Sequence, residues 1–206
     1  MRQSKRNSKK RINRLVVLFL FALVSCLVWS AIKFIPILIL KNATVPDWVD
    51  VQIIDIDGAS RRGERLEGLK DIVIHYVGNS GTTAQQNRNY YSNSDSEVSA
   101  HFNIGLDGEV IQCVPLDEKS SASNWRNNNT ISIEVSHPDE TGQFTEASYY
   151  SLVRLTAWLC DLCHLNVDHI IRHYDISGKE CPRYYVQHED EWEQFKADVA
   201  QYRKSD

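Results

Sequence analysis

The chain opens with a short polar tip and passes into an unbroken apolar run. Leu15 to Ile32 is uncharged for 18 residues, and after Lys33 the apolar character resumes to Leu40. A helix of that length, at ~1.5 Å per residue, reaches roughly 27 Å, about one hydrocarbon core. Beyond it the rhythm shortens. Asp71–Tyr76 is a β-branched run between Gly68 and Gly78, the pattern of a buried strand, in which Val73 and His75 share a face. Thr82–Tyr91 reads as a helix with Thr82 or Thr83 at its N-cap. His101–Leu106 and Glu109–Val114 flank Asp107-Gly108, a hairpin signal. Thr130–Ser136 alternates apolar Ile131, Ile133 and Val135 with polar Ser132, Glu134 and Ser136. Leu152, Leu155, Leu159 and Leu162 recur at helical spacing within 148–165, and His169–His173 is another short strand. Trp192, Phe195, Val199 and Tyr202 form one face of a helix over Asp190–Tyr202.

Alternating strands and helices around a hairpin predict an α/β fold. It is a single domain with a central mixed β-sheet flanked by helices, preceded by an N-terminal transmembrane helix. The expected divisions are a basic tip over 1–14, an apolar signal-anchor over 15–40, a lead-in over 41–68 and the main body over 69–206. The lead-in is punctuated by Gly58, Gly63 and Gly68, and holds at most one short strand, Val51–Ile56.

Charge is uneven. The formal net charge is −4, yet the tip carries seven basic residues (Arg2, Lys5, Arg6, Lys9, Lys10, Arg11, Arg14) and no acid. The remainder holds 16 basic and 27 acidic residues. A body that acidic excludes nucleic acid as a partner, because phosphate contacts need a basic face. The basic flank instead orients the apolar run, keeping the tip in the cytoplasm and the body outside. A lipoprotein signal ending at Leu23-Val24-Ser25-Cys26 and a cleaved secretory signal remain alternatives, and both also export the body. Cysteines at 26, 113, 160, 163 and 181 are odd in number and scattered, so no disulfide framework is expected. Cys160 and Cys163 lie on an apolar helical stripe and read as core.

Seven histidines need sorting by their company. His173 precedes Cys181 by eight residues across the turn-rich YDISGKE, and His75 ends a strand about a hundred residues earlier. Two imidazoles and one thiolate suit a single Zn²⁺, with a fourth position left for water. Such spacing also occurs by chance. Glu134, on the polar side of its strand, is a candidate proton acceptor, against the alternative of a solvated edge residue. Lys179, two residues before Cys181, is a candidate for oxyanion stabilisation, against that of an ordinary loop lysine.

Four segments in order, IVIHY (72–76), SAHFNIGLDGEVIQCVP (99–115), NTISIEVSHPDETGQF (129–144) and RHYDISGKECP (172–182), resemble the type 2 N-acetylmuramoyl-L-alanine amidases, which include phage lysins and peptidoglycan recognition proteins. The resemblance spans about residues 70–200. It implies zinc-dependent cleavage of the amide between N-acetylmuramic acid and L-alanine. It places the metal ligands on His75, His173 and Cys181, the catalytic carboxylate on Glu134 and the assisting cation on Lys179. A tyrosine used by some members is here Ala100, so acid–base work falls to Glu134. The His-containing loop of many members is here KSSASN (119–124). Tyr76, Asn79, His101 and Asn129 are candidate substrate contacts, against structural packing for His101 and a loop cap for Asn129, with His137 read as a turn residue. Peptidoglycan is the implied partner beside the membrane, and no oligomer is implied. A peptidoglycan-binding domain without catalysis is the competing class, and a soluble anhydro-muropeptide the competing substrate.

Overall fold

The structure is a computed structural model that describes residues 2–56, 59–93 and 95–205, with side chains from Arg14 onward except Leu15. Gly58 and the other basic side chains of the tip lie outside the described residues. Two compact units emerge, Met1–Ile35 and Pro36–Asp206.

The first unit belongs to helix α1 (Arg2–Lys41). Its stretch Val16–Lys41, 26 residues with a mean hydropathy of 2.3, is the one described helix long and apolar enough to cross a membrane. Large apolar side chains within the first unit are exposed, Phe21 to 74% and Ile32 to 71%. Leaving so much apolar surface in water is unfavourable.

The second unit is built on a six-stranded sheet. Its strands are β1 (Val49–Val51), β2 (Asp71–Tyr76), β3 (Phe102–Ile104), β4 (Val110–Gln112), β5 (Thr130–Val135) and β6 (Ile170–Arg172), in spatial order β1-β4-β3-β5-β2-β6. Only the β3–β4 hairpin is antiparallel. Its loop returns through Gly108, whose φ of +82 requires glycine, because a Cβ there would meet the backbone oxygen of Ala147 at 2.7 Å.

The two faces of the sheet differ. Ile72, Ile74, Ile131 and Ile133 are fully buried against α3 (Glu146–Cys163) and α6 (Glu189–Ser205), through Leu152, Leu155, Leu159, Trp192, Phe195 and Val199. Thr145 caps α3 by accepting from Ser148 N, and the helix ends at His164 in the left-handed conformation, φ 54. α6 carries Glu189, Asp190 and Glu191 in its first turn and Arg203 and Lys204 in its last, matching its dipole. The other face carries His75, Ser132 and Glu134 and is partly covered by α2 (Ala84–Tyr91). Thr83 and Gln86 close a capping box on that helix. Cys160 and Cys163 are free thiols in the main core, as expected.

Three expectations need correction. The strand predicted at Val51–Ile56 ends at Val51; the next residues continue only by single bonds, Gln52 N to Gln112 O and Ile54 N to Cys113 O. The lead-in is not a free linker, because its Val49, Ile54 and Leu66 are 1–6% exposed against the body. The alternative of Glu134 as a solvated edge residue does not hold, since β5 is a central strand in which Ser132 is wholly buried and the Glu134 side chain only 18% exposed. Periodicity reports chemical type, and here the polar side is roofed by other polar residues.

The burial of Leu40 in the main core sets an expectation. Leu40→Ala in the full chain should lower stability by about 2–5 kcal/mol. Urea denaturation of the detergent-solubilised protein, followed by tryptophan fluorescence, checks it; a loss below a few tenths would place Leu40 outside the core.

Candidate metal centre and catalytic cleft

Parallel pairing of β2 with β5 sets His75 beside Glu134 in register. On the far side of β2, β6 runs parallel and ends at Arg172, so the chain delivers His173 as the first residue of α4 (His173–Ser177). The predicted strand over 169–173 is therefore one residue shorter at each end. Arg172 pins this corner by donating to Tyr185 O at 2.9 Å, Asp175 Oδ1 at 2.9 Å and Glu189 Oε2 at 2.6 Å. Gly178, at φ +73, turns the chain, and Tyr174 N donates to Cys181 O at 2.9 Å, folding Cys181 back beside His173. Pro182 starts the entry to α5 (Arg183–Gln187).

The result is a buried cluster. His75, His173 and Cys181 are 1%, 6% and 2% exposed, and one donor atom from each lies within 4.8 Å of the others. The imidazole centroids are 4.7 Å apart, and Cys181 Sγ is 3.9 Å from His75 Nδ1. Glu134 Oε1 is 3.9 Å from the same nitrogen, with its side chain 18% exposed. Two polar atoms here are buried without a partner, His173 Nε2 and Glu134 Oε2. Orphans of that kind are costly. Around a tetrahedral zinc, neighbouring N and S donors stand about 3.5 Å apart. The donor set, its spacing and the unsatisfied His173 nitrogen thus fit one such ion, with Glu134 beside it rather than in it.

Burial disfavours charge throughout the cluster. It holds His75 well below the usual imidazole value, with the positive charges of His173 and Lys179 adding to the effect. His173 is lowered too, by burial and then Lys179. Burial pushes the Glu134 carboxyl up to about 8, opposed by Lys179, and the Cys181 thiol up to about 12, where the carboxylate of Glu134 adds. Lys179 itself is exposed, yet its charge bears on all four groups.

A cleft of about 470 Å³ opens from Glu134, bounded by Asn79, Gln86, Tyr90, Tyr91 and Val98. Asn79 therefore lies on the cleft. Tyr76 follows His75, and its half-buried ring packs against His137, with centroids 5.0 Å apart. Tyr76 does not line the cleft, and the other two expected contacts do not reach it. His101 is fully buried, with Nδ1 accepting from Ser132 N at 3.0 Å and Nε2 on Glu118 O at 2.9 Å, so no ring nitrogen is left for a ligand. Asn129 precedes the start of β5, whereas Glu134 is near its end, about 16 Å along the strand. Its Oδ1 accepts from Arg126 Nε at 2.7 Å. His137 contacts the carbonyls of Asp139 and Val77 and serves its turn. Sequence reasoning missed Ser123, Asn87 and Tyr91. Ser123 Oγ lies 3.3 Å from His75 Nε2, Asn87 Nδ2 donates to Ser136 Oγ at 3.1 Å, and Tyr91 O–H donates to Asn103 Oδ1 at 3.1 Å. The one available signal was the run of small polar residues KSSASN.

Fold and site together define a mixed-sheet α/β domain with a buried His–His–Cys cluster at the ends of its parallel strands. The profile described as N-acetylmuramoyl-L-alanine amidase matches residues 67–184, and the chain belongs to that family. It is 31% identical over 163 residues to the N-acetylmuramoyl-L-alanine amidase BlyA of Bacillus subtilis, covering 69% of this chain and 44% of the relative. The chain spans less than half the length of the curated relatives it matches. Among solved structures, a mutant endolysin from Bacillus subtilis matches with a TM-score of 0.65 at 25% identity, covering 73% of this chain and 97% of that one. The catalytic domain of XlyA matches at 0.64 and 25%, covering 73% and 98%.

The raised carboxyl predicts a pH effect. Glu134 in the folded, metal-free chain binds its proton up to about 8, while an unfolded glutamate releases it near 4.5. Between those values the native state holds more protons, so this group's contribution to stability falls as pH rises. Glu134→Gln in chelator should flatten that fall and be more stable than the parent above pH 8, by an amount on the order of a few kcal/mol. Denaturation midpoints at pH 5, 7 and 9 measure it; parallel curves for the two proteins would contradict the assignment.

Proposed function

We propose that this chain is a zinc-dependent N-acetylmuramoyl-L-alanine amidase. It hydrolyses the amide between the lactyl group of N-acetylmuramic acid and L-alanine in bacterial peptidoglycan. The carrying observation is the carboxylate of Glu134 at 3.9 Å from His75 Nδ1, beside the three clustered donors and open to a cleft. The N-terminal helix acts as the anchor over 15–40, the tip 1–14 stays in the cytoplasm, and the body acts on the wall outside.

Zinc held by His75, His173 and Cys181 would supply a Lewis acid for the scissile carbonyl and make water nucleophilic at neutral pH. The chain's own groups do the rest. Glu134 takes the proton of the attacking water and returns it to the leaving α-amine, a task suited to a carboxyl poised near the working pH. Lys179 offsets the charge developing on the carbonyl oxygen. Asn79 borders the approach to Glu134, where the stem peptide lies.

The test is digestion of purified peptidoglycan by the full chain in detergent, with mass spectrometry of the products. New L-alanine amino termini should appear, and should vanish with chelator or in Cys181→Ser. Cleavage of glycan or of peptide cross-links would sink the proposal, and zinc binding without any cleavage would leave a binding domain.

Individual residues carry separate expectations. Glu134→Gln should lower kcat by about 10²–10⁴ and Lys179→Ala by about 10²–10³. His101→Phe should leave KM unchanged while lowering stability, since both ring nitrogens serve the backbone. A rise in KM without a stability loss would return His101 to the substrate.

A further inference from the structure

We infer that Ser123, backed by Ser132 and Ser120, is a positioning residue that fixes which nitrogen of His75 faces the cluster. This rests on the metal reading above. His75 Nδ1 looks toward Cys181 and Glu134, 3.9 Å from each, and Nε2 looks the other way, 3.3 Å from Ser123 Oγ. A neutral imidazole has one N–H and one lone pair, so the partner of one nitrogen decides the role of the other. With Nε2–H donating to Ser123 Oγ, the Nδ1 lone pair faces His173 and Cys181. Ser123 then passes its own proton to Ser132 Oγ at 2.9 Å, and Ser120 Oγ donates to the same oxygen at 3.3 Å. The opposite direction of donation would put a hydrogen on Nδ1 and close the cluster to a cation.

The row is built to hold still. Ser123 and Ser132 are 0% exposed and Ser120 2%, so no bulk water competes for these hydroxyls. Asn127 Oδ1 accepts from Ser123 N at 2.6 Å and from Ala122 N at 3.2 Å, fixing the loop backbone that presents Ser123. His101 accepts from Ser132 N at 3.0 Å while holding Glu118 O, fixing the strand side. This gives KSSASN (119–124) a role: side chains this small let hydroxyls sit directly against the β2–β5 face. It also gives His101 a second use, as the brace behind the brace. Outer partners of ligating histidines orient the ring and typically change metal affinity 10–100-fold when removed.

The experiment reads tautomer and affinity separately in the full chain. Nitrogen-15 NMR of the histidines in the metal-free protein reports which ring nitrogen of His75 is protonated. Competition with a chromophoric chelator reports the Zn²⁺ dissociation constant. The unaltered chain should show Nε2–H. Ser123→Ala should give a mixture of tautomers and bind Zn²⁺ about 10–100-fold more weakly. Ser123→Thr, which keeps the hydroxyl, should stay near the parent in both, and Ser132→Ala should fall between. Parent-like tautomer and affinity in Ser123→Ala would overturn the inference, as would Nδ1–H in the unaltered chain. Should the unaltered chain bind no Zn²⁺, the metal reading fails, and the tautomer result still decides whether Ser123 orients His75.

Discussion

The register between β2 and β5 is the constraint on which the site depends. Ile72 pairs with Ile131 and Ile74 with Ile133, and all four side chains point into the core under α3 and α6. Full burial of each is worth about 1.5–3 kcal/mol. Strand periodicity is two, so a slip of one residue would send these isoleucines to the polar side and bring Glu134 and Ser132 into the core. The hydrophobic face thereby enforces the pairing His75↔Glu134 on the opposite face. Chemistry on one side is held by packing on the other.

Delivery of the remaining groups follows from parallel topology. β2, β5 and β6 all run the same way, so the residues at their ends gather at one edge. There the backbone no longer belongs to the ladder and can turn, which frees His173 to start a helix and Cys181 to return beside it. Arg172 makes the turn rigid by joining α4, α5 and α6 through three acceptors, and its own charge is balanced by Asp175 and Glu189. Four buried ionisable groups with only the exposed Lys179 as a nearby counter-charge would be a poor way to finish a core. Burial drives them all toward neutrality, and a divalent cation would reverse that preference for Cys181 and Glu134 while keeping both imidazoles neutral.

Much of this was legible in residue order, because spacing and periodicity are local quantities. The β-branched run at Asp71–Tyr76, the leucine stripe of α3 and the aromatic stripe of α6 announced their elements to within three residues at each end. The His–His–Cys set was a weak pattern by type and spacing alone, and it and Glu134 were singled out by the resemblance of four ordered segments. What failed was anything decided by a third partner. Asn129 stands five residues from Glu134 and looked close, but a strand carries those residues to opposite ends of the sheet. His101 sits in a matching segment, but its two backbone bonds are invisible without the fold. The loop 119–128 has no periodicity, so nothing in its order distinguishes the Ser123 that touches His75 from its exposed or backbone-facing neighbours. The lead-in was misjudged because isolated apolar residues such as Ile54 and Leu66 join a core assembled from elsewhere.

The cysteines show why geometry outranks any single property in locating this site. Burial raises Cys113, Cys163 and Cys181 alike to about 12 and Cys160 to about 11, so a thiol's own acidity does not separate ligand from core. Cys160 and Cys163 are surrounded by Leu152, Leu155, Leu159 and their neighbours in the apolar cluster. Cys113 receives one hydrogen bond from Asn103 Nδ2 at 3.3 Å. Cys181 alone among the four faces two imidazoles, a carboxylate and, through Lys179, a nearby positive charge. A cation entering any of the first three sites would find at most one or two donors and an apolar wall, which desolvates it without compensation. Entering the fourth, it would find three donors and a carboxylate in reach. The same buried thiol is inert or functional according to what the strand ends bring to it, and those ends are set by the isoleucines on the other face.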